Sequence, residues 1–247
     1  MSGRVIEFGS WATLILDDWR DHADALRAAE PAVCITDPPY GIAIQNAGLG
    51  GRLERRMTGA RQNALRRGSP PMIGDDRVRD VSDVFSLAPR TIMWGADHLR
   101  ASLPGTGRFL VWDKLDGRDA WDSFSDAEFA FDTVPGKVEI LRQLWKGVCC
   151  DVSNADAKRW HPAAKPIRLM ERLIEMCKVP PGGLVCDPYM GSATTAIACH
   201  RRGLRFIGCE IDEKWFDAAR ERLRVMTGED PSEWPRAGRH PGARPGA

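Results

Sequence analysis

Asp37-Pro38-Pro39-Tyr40 closes the apolar run Ala32-Val33-Cys34-Ile35-Thr36 and places a carboxylate, a stiffened backbone and an aromatic ring within four residues. Proline lacks an N–H but keeps its carbonyl, and two prolines in a row restrict the loop. The Asp37 carboxylate and the Pro38 carbonyl can therefore stand as two fixed acceptors. Two acceptors match the two hydrogens of an amino group. An aromatic amino group is a poor nucleophile because its lone pair is delocalised into the ring, and acceptors on its N–H bonds free that pair for attack. Tyr40 offers a face on which a base taken out of its stack could lie, a contact worth about 1–3 kcal/mol at single-strand sites.

A second constellation lies far downstream. Leu184-Val185-Cys186 reads as a short buried strand entering Asp187-Pro188-Tyr189-Met190-Gly191-Ser192-Ala193. The pattern predicts a helix over 194–202 stopped by Gly203, then a strand Arg205-Phe206-Ile207-Gly208-Cys209 ending in Glu210. That is a βαβ unit. Its small-residue turn lets a ligand approach the backbone, and an acid closing the next strand can bond ribose hydroxyls.

These two turns need a scaffold, and the rest of the chain supplies one. Met170, Leu173, Ile174 and Cys177 share one face of a helix that ends before Pro180-Pro181-Gly182-Gly183, and 213–226 reads as a last helix with Phe216, Ala219, Leu223 and Met226 inward. Thr91-Ile92-Met93-Trp94 and Arg108-Phe109-Leu110-Val111-Trp112 read as buried strands. Ala127 to Phe131 and Leu141 to Trp145 read as alternating ones. The expectation is one α/β domain over 1–227, with a catalytic half over about 1–150, a cofactor half over about 160–227, and a disordered Pro/Gly/Arg tail over 228–247.

Composition narrows the class. Hydrophobic residues make up 43 % of 247, enough for a full core. The start Met1-Ser2-Gly3-Arg4-Val5-Ile6 carries no signal-peptide apolar region, and no apolar run reaches the roughly 18 residues of a membrane span, so a cytoplasmic protein without a membrane partner is expected. The seven cysteines form no CxxC pair, which predicts reduced thiols and no metal site. Net charge is only +1, yet between Gly48 and Pro70, in a Gly-rich basic loop over 45–75, Arg52, Arg55, Arg56, Arg61, Arg66 and Arg67 stand against the single acid Glu54. Its place after Tyr40 suits contact with phosphates; a solvated surface loop is the alternative.

With both constellations in hand, the chain resembles the DNA N4-cytosine/N6-adenine methyltransferase family, in particular its permuted branch of small, phage-type members. There a DPPY-type loop comes early, and HPxxKP and DPFxGSGTT come late. Here they stand as Asp37 to Tyr40, His161-Pro162-Ala163-Ala164-Lys165-Pro166 and Asp187 to Thr195, with Trp94-Gly95-Ala96-Asp97-His98 and Val111-Trp112-Asp113-Lys114 similar to the central segment. The resemblance covers about 30–225. It implies a Rossmann-like methyltransferase fold with a mostly parallel twisted sheet and helices on both faces, S-adenosyl-L-methionine as cofactor, and double-stranded DNA as partner. A homodimer and a restriction endonuclease partner are left open.

Residue by residue, the resemblance puts Asp37, Pro38, Pro39 and Tyr40 in the catalytic loop and Lys165 at the cofactor carboxylate or its surroundings. Asp187, Tyr189, Gly191 and Ser192 fall along the methionine moiety, Glu210 on the ribose, and Trp215 beside the adenine. His161 is expected to be structural. Two positions depart from the pattern: Tyr189 replaces phenylalanine and Ala193 replaces the second turn glycine. Alanine tolerates helix entry but not a left-handed conformation, which puts the close approach of backbone to cofactor in question.

The implied reaction is direct methyl transfer to the amino group of a flipped base. The DPPY form leans to adenine N6 over cytosine N4. Cytosine-C5 chemistry needs a nucleophilic cysteine, usually after proline, and the chain has no Pro-Cys dipeptide. Methylation of protein glutamine, where a related NPPY loop follows the cofactor turn, disagrees with the motif order. An RNA adenine substrate and a catalytically silent binding module stay open. The short stretch between Phe131 and His161 leaves little room for base readout, so a short recognition site is expected.

Overall fold

In the computed structural model, residues 3–42, 73–119, 125–146, 149–150 and 164–233 are described. Strands β1 (Arg4–Phe8) and β2 (Ala12–Leu16) form a hairpin, and helix α1 (Ala23–Ala28) leads to β3 (Val33–Thr36). Then follow β4 (Thr91–Trp94), β5 (Arg108–Asp113), β6 (Ala127–Asp132), β7 (Glu139–Arg142), and the short strands β8 (Trp145–Lys146) and β9 (Cys149–Cys150). The last part runs α2 (Ile167–Cys177), β10 (Leu184–Asp187), α3 (Thr194–Arg201), β11 (Arg205–Glu210), α4 (Glu213–Thr227) and β12 (Ser232–Glu233).

Among the described residues, ten strands make one sheet in the order β12-β1-β2-β11-β10-β3-β4-β6-β5-β7, and β8 pairs with β9. From β2 to β4 all neighbours run parallel; β6 is antiparallel to both β4 and β5. The chain leaves β3 towards β4 on one side and β10 towards β11 on the other. Between β3 and β10 lies the switch point at which open α/β sheets hold ligands, beyond the carboxyl ends of the strands.

Side-chain alternation divides the core between the two sheet faces. Val33, Ile35, Ile92, Trp94, Val185 and Phe206 join Leu169, Leu173, Ile197, Phe216 and Leu223 of α2, α3 and α4. Cys34, Met93, Cys186, Ile207 and Cys209 point the other way, towards Trp19, Leu26, Val84 and Leu87 on α1 and short 3-10 turns. Helical cover is thus present on both faces, thinner on the second. The fold is the expected Rossmann-like α/β arrangement.

The predicted elements stand close to the observed ones, with three differences. Leu141 to Trp145 is not one strand: β7 ends at Arg142, Trp112 Nε1 donates to the Gln143 carbonyl at 3.0 Å, and Trp145 begins a separate pair. The N-terminal hairpin had no reading in the sequence, and through β2 it extends the parallel sheet beside β11. The tail does not begin at 228, since Ser232–Glu233 pairs with Ile6 and Glu7, and Trp11 Nε1 donates to Glu229 at 2.8 Å. The basic stretch with Arg52, Arg55, Arg56, Arg61, Arg66 and Arg67, the segment with His161, and 234–247 lie outside the described residues. No helix among the described residues is long and apolar enough to cross a membrane.

Candidate active site

Parallel pairing of β3 with β10 brings two loops far apart in sequence to one edge of the sheet. Asp37 follows β3 and Asp187 ends β10. Thr36 Oγ1 donates to Asp187 Oδ1 at 2.8 Å, Thr195 Oγ1 to Asp187 Oδ2 at 2.8 Å, and the Tyr189 N–H to Oδ1 at 3.2 Å. Asp187 thus ties the end of β3, its own turn and the start of α3 together. Burial lifts its carboxyl to about 6, against the pull of those three donors.

Both loops open on one cavity of about 470 Å³, lined by Asp37 to Tyr40, Lys165, Asp187 to Ser192, Glu210 and Trp215. The residues predicted from the two motifs are therefore brought together. Sequence reasoning missed several other walls: Asp17, Asp18 and Trp19 after β2, and Trp94, Trp112, Lys114, Glu128 and Trp145. The missed acids and tryptophans lie at strand ends whose shared edge only the topology reveals.

On the cofactor side, Glu210 Oε2 accepts from the Gly191 N–H at 3.0 Å and Oε1 from the Asp212 N–H at 2.8 Å. Burial raises the Glu210 carboxyl to about 7 despite these two donors. Gly191 has φ 52, and a side chain placed there would meet nothing within 4 Å, so the turn presents open backbone. Trp215 is 8 % exposed and borders the same space. An acid, an open glycine turn and an indole around one cavity fit a nucleoside-bearing cofactor.

Both departures from the family pattern find an explanation here. The Tyr189 hydroxyl accepts from Arg20 Nη1 at 3.3 Å, and Arg20 is itself held by Asp83, with Nε to Oδ2 at 2.7 Å. Ala193 overturns the expectation for alanine: it is left-handed, φ 58 and ψ 38, as the N-cap of α3. Such a conformation costs a non-glycine residue about 1–2 kcal/mol. Buried Arg222 offsets it from α4 by donating to the Ser192 carbonyl, Ser192 Oγ and Thr194 Oγ1 at 3.0, 3.0 and 2.8 Å. The Ser192 hydroxyl is thereby engaged with the scaffold.

On the catalytic side, both Asp37 oxygens have partners. Tyr40 Oη donates to Oδ1 at 2.5 Å and Lys165 Nζ to Oδ2 at 2.5 Å. Lys165 thus stands on the Asp37 carboxylate; the resemblance puts it at the cofactor carboxylate or its surroundings. Burial raises the Asp37 carboxyl and the Lys165 ammonium holds it down, with a net upward shift. Burial, then the Asp37 charge, push the Tyr40 phenol well up. The Tyr40 ring stacks on His98 with centroids 5.2 Å apart and planes at 19°, so a base has one face of it at most. Gly95, φ 74, makes room for the ring, since a Cβ there would stand 2.1 Å from Tyr40 Cε1. Behind the loop, the Gly41 and Ile42 N–H groups donate to Asp75 Oδ1 at 2.9 and 3.2 Å.

Residues 121–221 match the profile of the N6/N4 DNA methylase family. Over that stretch the chain is similar to that family. Among curated relatives it is 33 % identical over 88 residues to the type II methyltransferase M2.DpnII of Streptococcus pneumoniae, covering 34 % of this chain and 31 % of that one. It is 40 % identical over 65 residues to the type II methyltransferase M.ScaI of Streptomyces caespitosus, covering 26 % of this chain and 21 % of that one. The chain thus spans a third or less of either relative. Among solved structures, a complex of M1.HpyAVI with S-adenosylmethionine superposes with a TM-score of 0.52 at 20 % identity, over 86 % of this chain and 98 % of the other. The cytosine-N4-specific PvuII DNA methyltransferase superposes at 0.53 and 15 % identity, over 91 % and 98 %. At such identities the two superpositions show a shared fold alone.

Proposed function

We propose that this chain is a member of that family and transfers a methyl group from S-adenosylmethionine to the exocyclic amino group of a base flipped out of double-stranded DNA, adenine N6 being the target that the Asp-Pro-Pro-Tyr loop favours. The observation that carries the reading is a single cavity holding Asp37 on one side and Glu210 with Gly191 on the other, joined through Thr36 and Asp187. Glu210 would hold the ribose hydroxyls, Trp215 would border the adenine, and Asp187, Tyr189, Gly191 and Ser192 would line the methionine part. The cofactor supplies an electrophilic methyl on a sulfonium. Asp37 and the Pro38 carbonyl accept the two amino hydrogens and aim the nitrogen lone pair. Trp94, Trp112 and Trp145 make the wall an apolar one that excludes water around the attack. The arginines of 45–75 would contact phosphates, and the enzyme would act in the cytoplasm on a short site.

Nucleoside mass spectrometry of DNA from methylase-free cells expressing the chain tests this. N6-methyladenine is expected; N4-methylcytosine would move the target and keep the mechanism, and neither base would refute the reading. Asp37→Ala is expected to abolish transfer while calorimetry still finds cofactor binding. Turnover near the parental rate would remove Asp37 from the chemistry.

A further inference from the structure

The charges behind Asp37 form a chain that the reaction as described does not use. Lys165 Nζ lies 2.5 Å from Asp37 Oδ2 and 3.2 Å from Glu128 Oε2, so one ammonium bridges two carboxylates. Glu128 Oε1 accepts from Lys114 Nζ at 2.9 Å. Glu128 stands on β6, in register with Trp112 of β5, and Lys114 follows the end of β5. Both lysines sit near indole rings, Lys165 Nζ 5.6 Å from the Trp94 ring and Lys114 Nζ 5.6 Å from the Trp112 ring. The array is mostly buried and opens on the cavity beside the Asp37 loop.

This geometry sets a problem for any amino group arriving at Asp37. Tyr40 takes one carboxylate oxygen and Lys165 the other. A neutral N–H donor arriving at Oδ2 has to share that oxygen with the ammonium, and loosening the ion pair is unfavourable unless the ammonium has another anion to hold it, because an unpaired buried charge is strongly unfavourable. Glu128 is that anion. We infer that Glu128 is a positioning residue for methyl transfer: clamped by Lys114, it takes over the Lys165 ammonium when the target amino group engages Asp37 Oδ2. The inference rests on the proposed role of Asp37 as acceptor for that amino group.

Charge balance is consistent with the arrangement. Burial alone would raise the Glu128 carboxyl, yet the two lysines bring it to about 2, so it stays ionised. Among the described residues, the charged groups that act on the Asp37–Tyr40 pair include Lys165, Glu128, Asp187 and Asp97, and the titratable His98 ring is stacked on Tyr40. Removing the Glu128 charge takes one anion away from Asp37 and leaves Lys165 with Asp37 alone. Both changes lower the pH at which Asp37 titrates.

The test uses the full chain with Glu128→Gln, Glu128→Asp and Lys114→Met, tritiated S-adenosylmethionine, and genomic DNA from a methylase-free host. Glu128→Gln is expected to slow single-turnover transfer about 10- to 100-fold, the range for a misplaced reacting group, with cofactor and DNA dissociation constants within about twofold of the parent. Glu128→Asp should recover part of the rate, and Lys114→Met should slow transfer less than Glu128→Gln does. In the cofactor-free protein, the Asp37 carboxyl carbon followed by NMR should titrate at lower pH in Glu128→Gln. Parental rates, a loss of rate matched by lost cofactor binding, or an unmoved Asp37 titration would each overturn the inference. If the parent itself methylates no DNA, the proposed function fails, and the Asp37 titration alone still decides whether Glu128 governs the Lys165 charge.

Discussion

Glu210→Gln should make the cofactor-free protein more stable at mildly alkaline pH while it weakens cofactor binding. The side chain keeps its shape and loses a charge that burial disfavours. Glu210 stands at about 7 in the folded protein against an ordinary 4.5, so ionising it costs about 3 kcal/mol more in the fold than in the unfolded chain. The carboxylate keeps some access to the cavity, and solvent there reduces the cost to about 2 kcal/mol. Glutamine offers one oxygen where the carboxylate offers two, so the Gly191 or the Asp212 N–H loses its acceptor, at about 1 kcal/mol. The net expectation is a gain of about 1 kcal/mol, or about 2–4 °C in the thermal midpoint for a chain of this size.

The pH dependence separates this cause from generic repacking. A carboxyl whose folded value lies above its unfolded one lets the folded state bind the proton more tightly, so its contribution is full below about 4.5 and is lost as pH rises through about 7. Asp187, raised to about 6, adds a slope of the same sign to parent and variant alike. Urea unfolding at about pH 8 should therefore favour Glu210→Gln, and at about pH 5 the advantage should vanish or reverse, because the parent carboxyl is then protonated too. Calorimetry at about pH 8 should show S-adenosylmethionine binding weakened by about 1–3 kcal/mol through lost charge-assisted ribose contacts. A variant less stable than the parent at about pH 8, or equally favoured at both values, would refute the assignment of a buried, destabilised carboxylate.

Two further perturbations probe the other side of the cavity. Gly95→Ala places a Cβ 2.1 Å from the Tyr40 ring at a backbone φ of 74, so transfer should fall by about 100-fold with cofactor affinity unchanged; parental single-turnover rates would show that the Tyr40 position does not matter. Neutralising Arg55, Arg56, Arg66 and Arg67 should weaken DNA binding across sequences and flatten its salt dependence by about 0.9 in log–log slope per lost phosphate contact, and an unchanged slope would make that stretch a solvated surface.

How far the sequence could be read depended on whether a function was carried by neighbours along the chain or by neighbours across the sheet. The loop Asp37 to Tyr40 and the turn from Asp187 to Glu210 are local, and their strands alternate or run apolar as buried parallel strands do, so both were legible with their elements. The pairing of β3 with β10 that makes them one site is a contact between chain-distant strands, which only their order in the sequence suggested. Lys165 shows the limit. Its motif placed it in the site, but its partners are Asp37, 128 positions away, and Glu128 on an antiparallel strand read as ordinary.

Ala193 carries the same lesson in the opposite direction. A propensity argument ruled the left-handed conformation out, and three hydrogen bonds from one buried arginine overrule it. Arg222 sits on α4 where heptad-like reading sees only a polar interruption between Ala219 and Leu223, yet its guanidinium reaches under the cofactor turn. The site is therefore built in two layers. The residues proposed to meet ligands are written in compact motifs, and the residues bonded to them, Arg222, Asp75, Lys114 and Glu128, are scattered over strands, loops and helices whose geometry alone brings them there. Substitutions in the second layer should leave every motif intact and still cost activity, which is why Glu128→Gln is the more informative test of this architecture than any change within the Asp-Pro-Pro-Tyr loop itself.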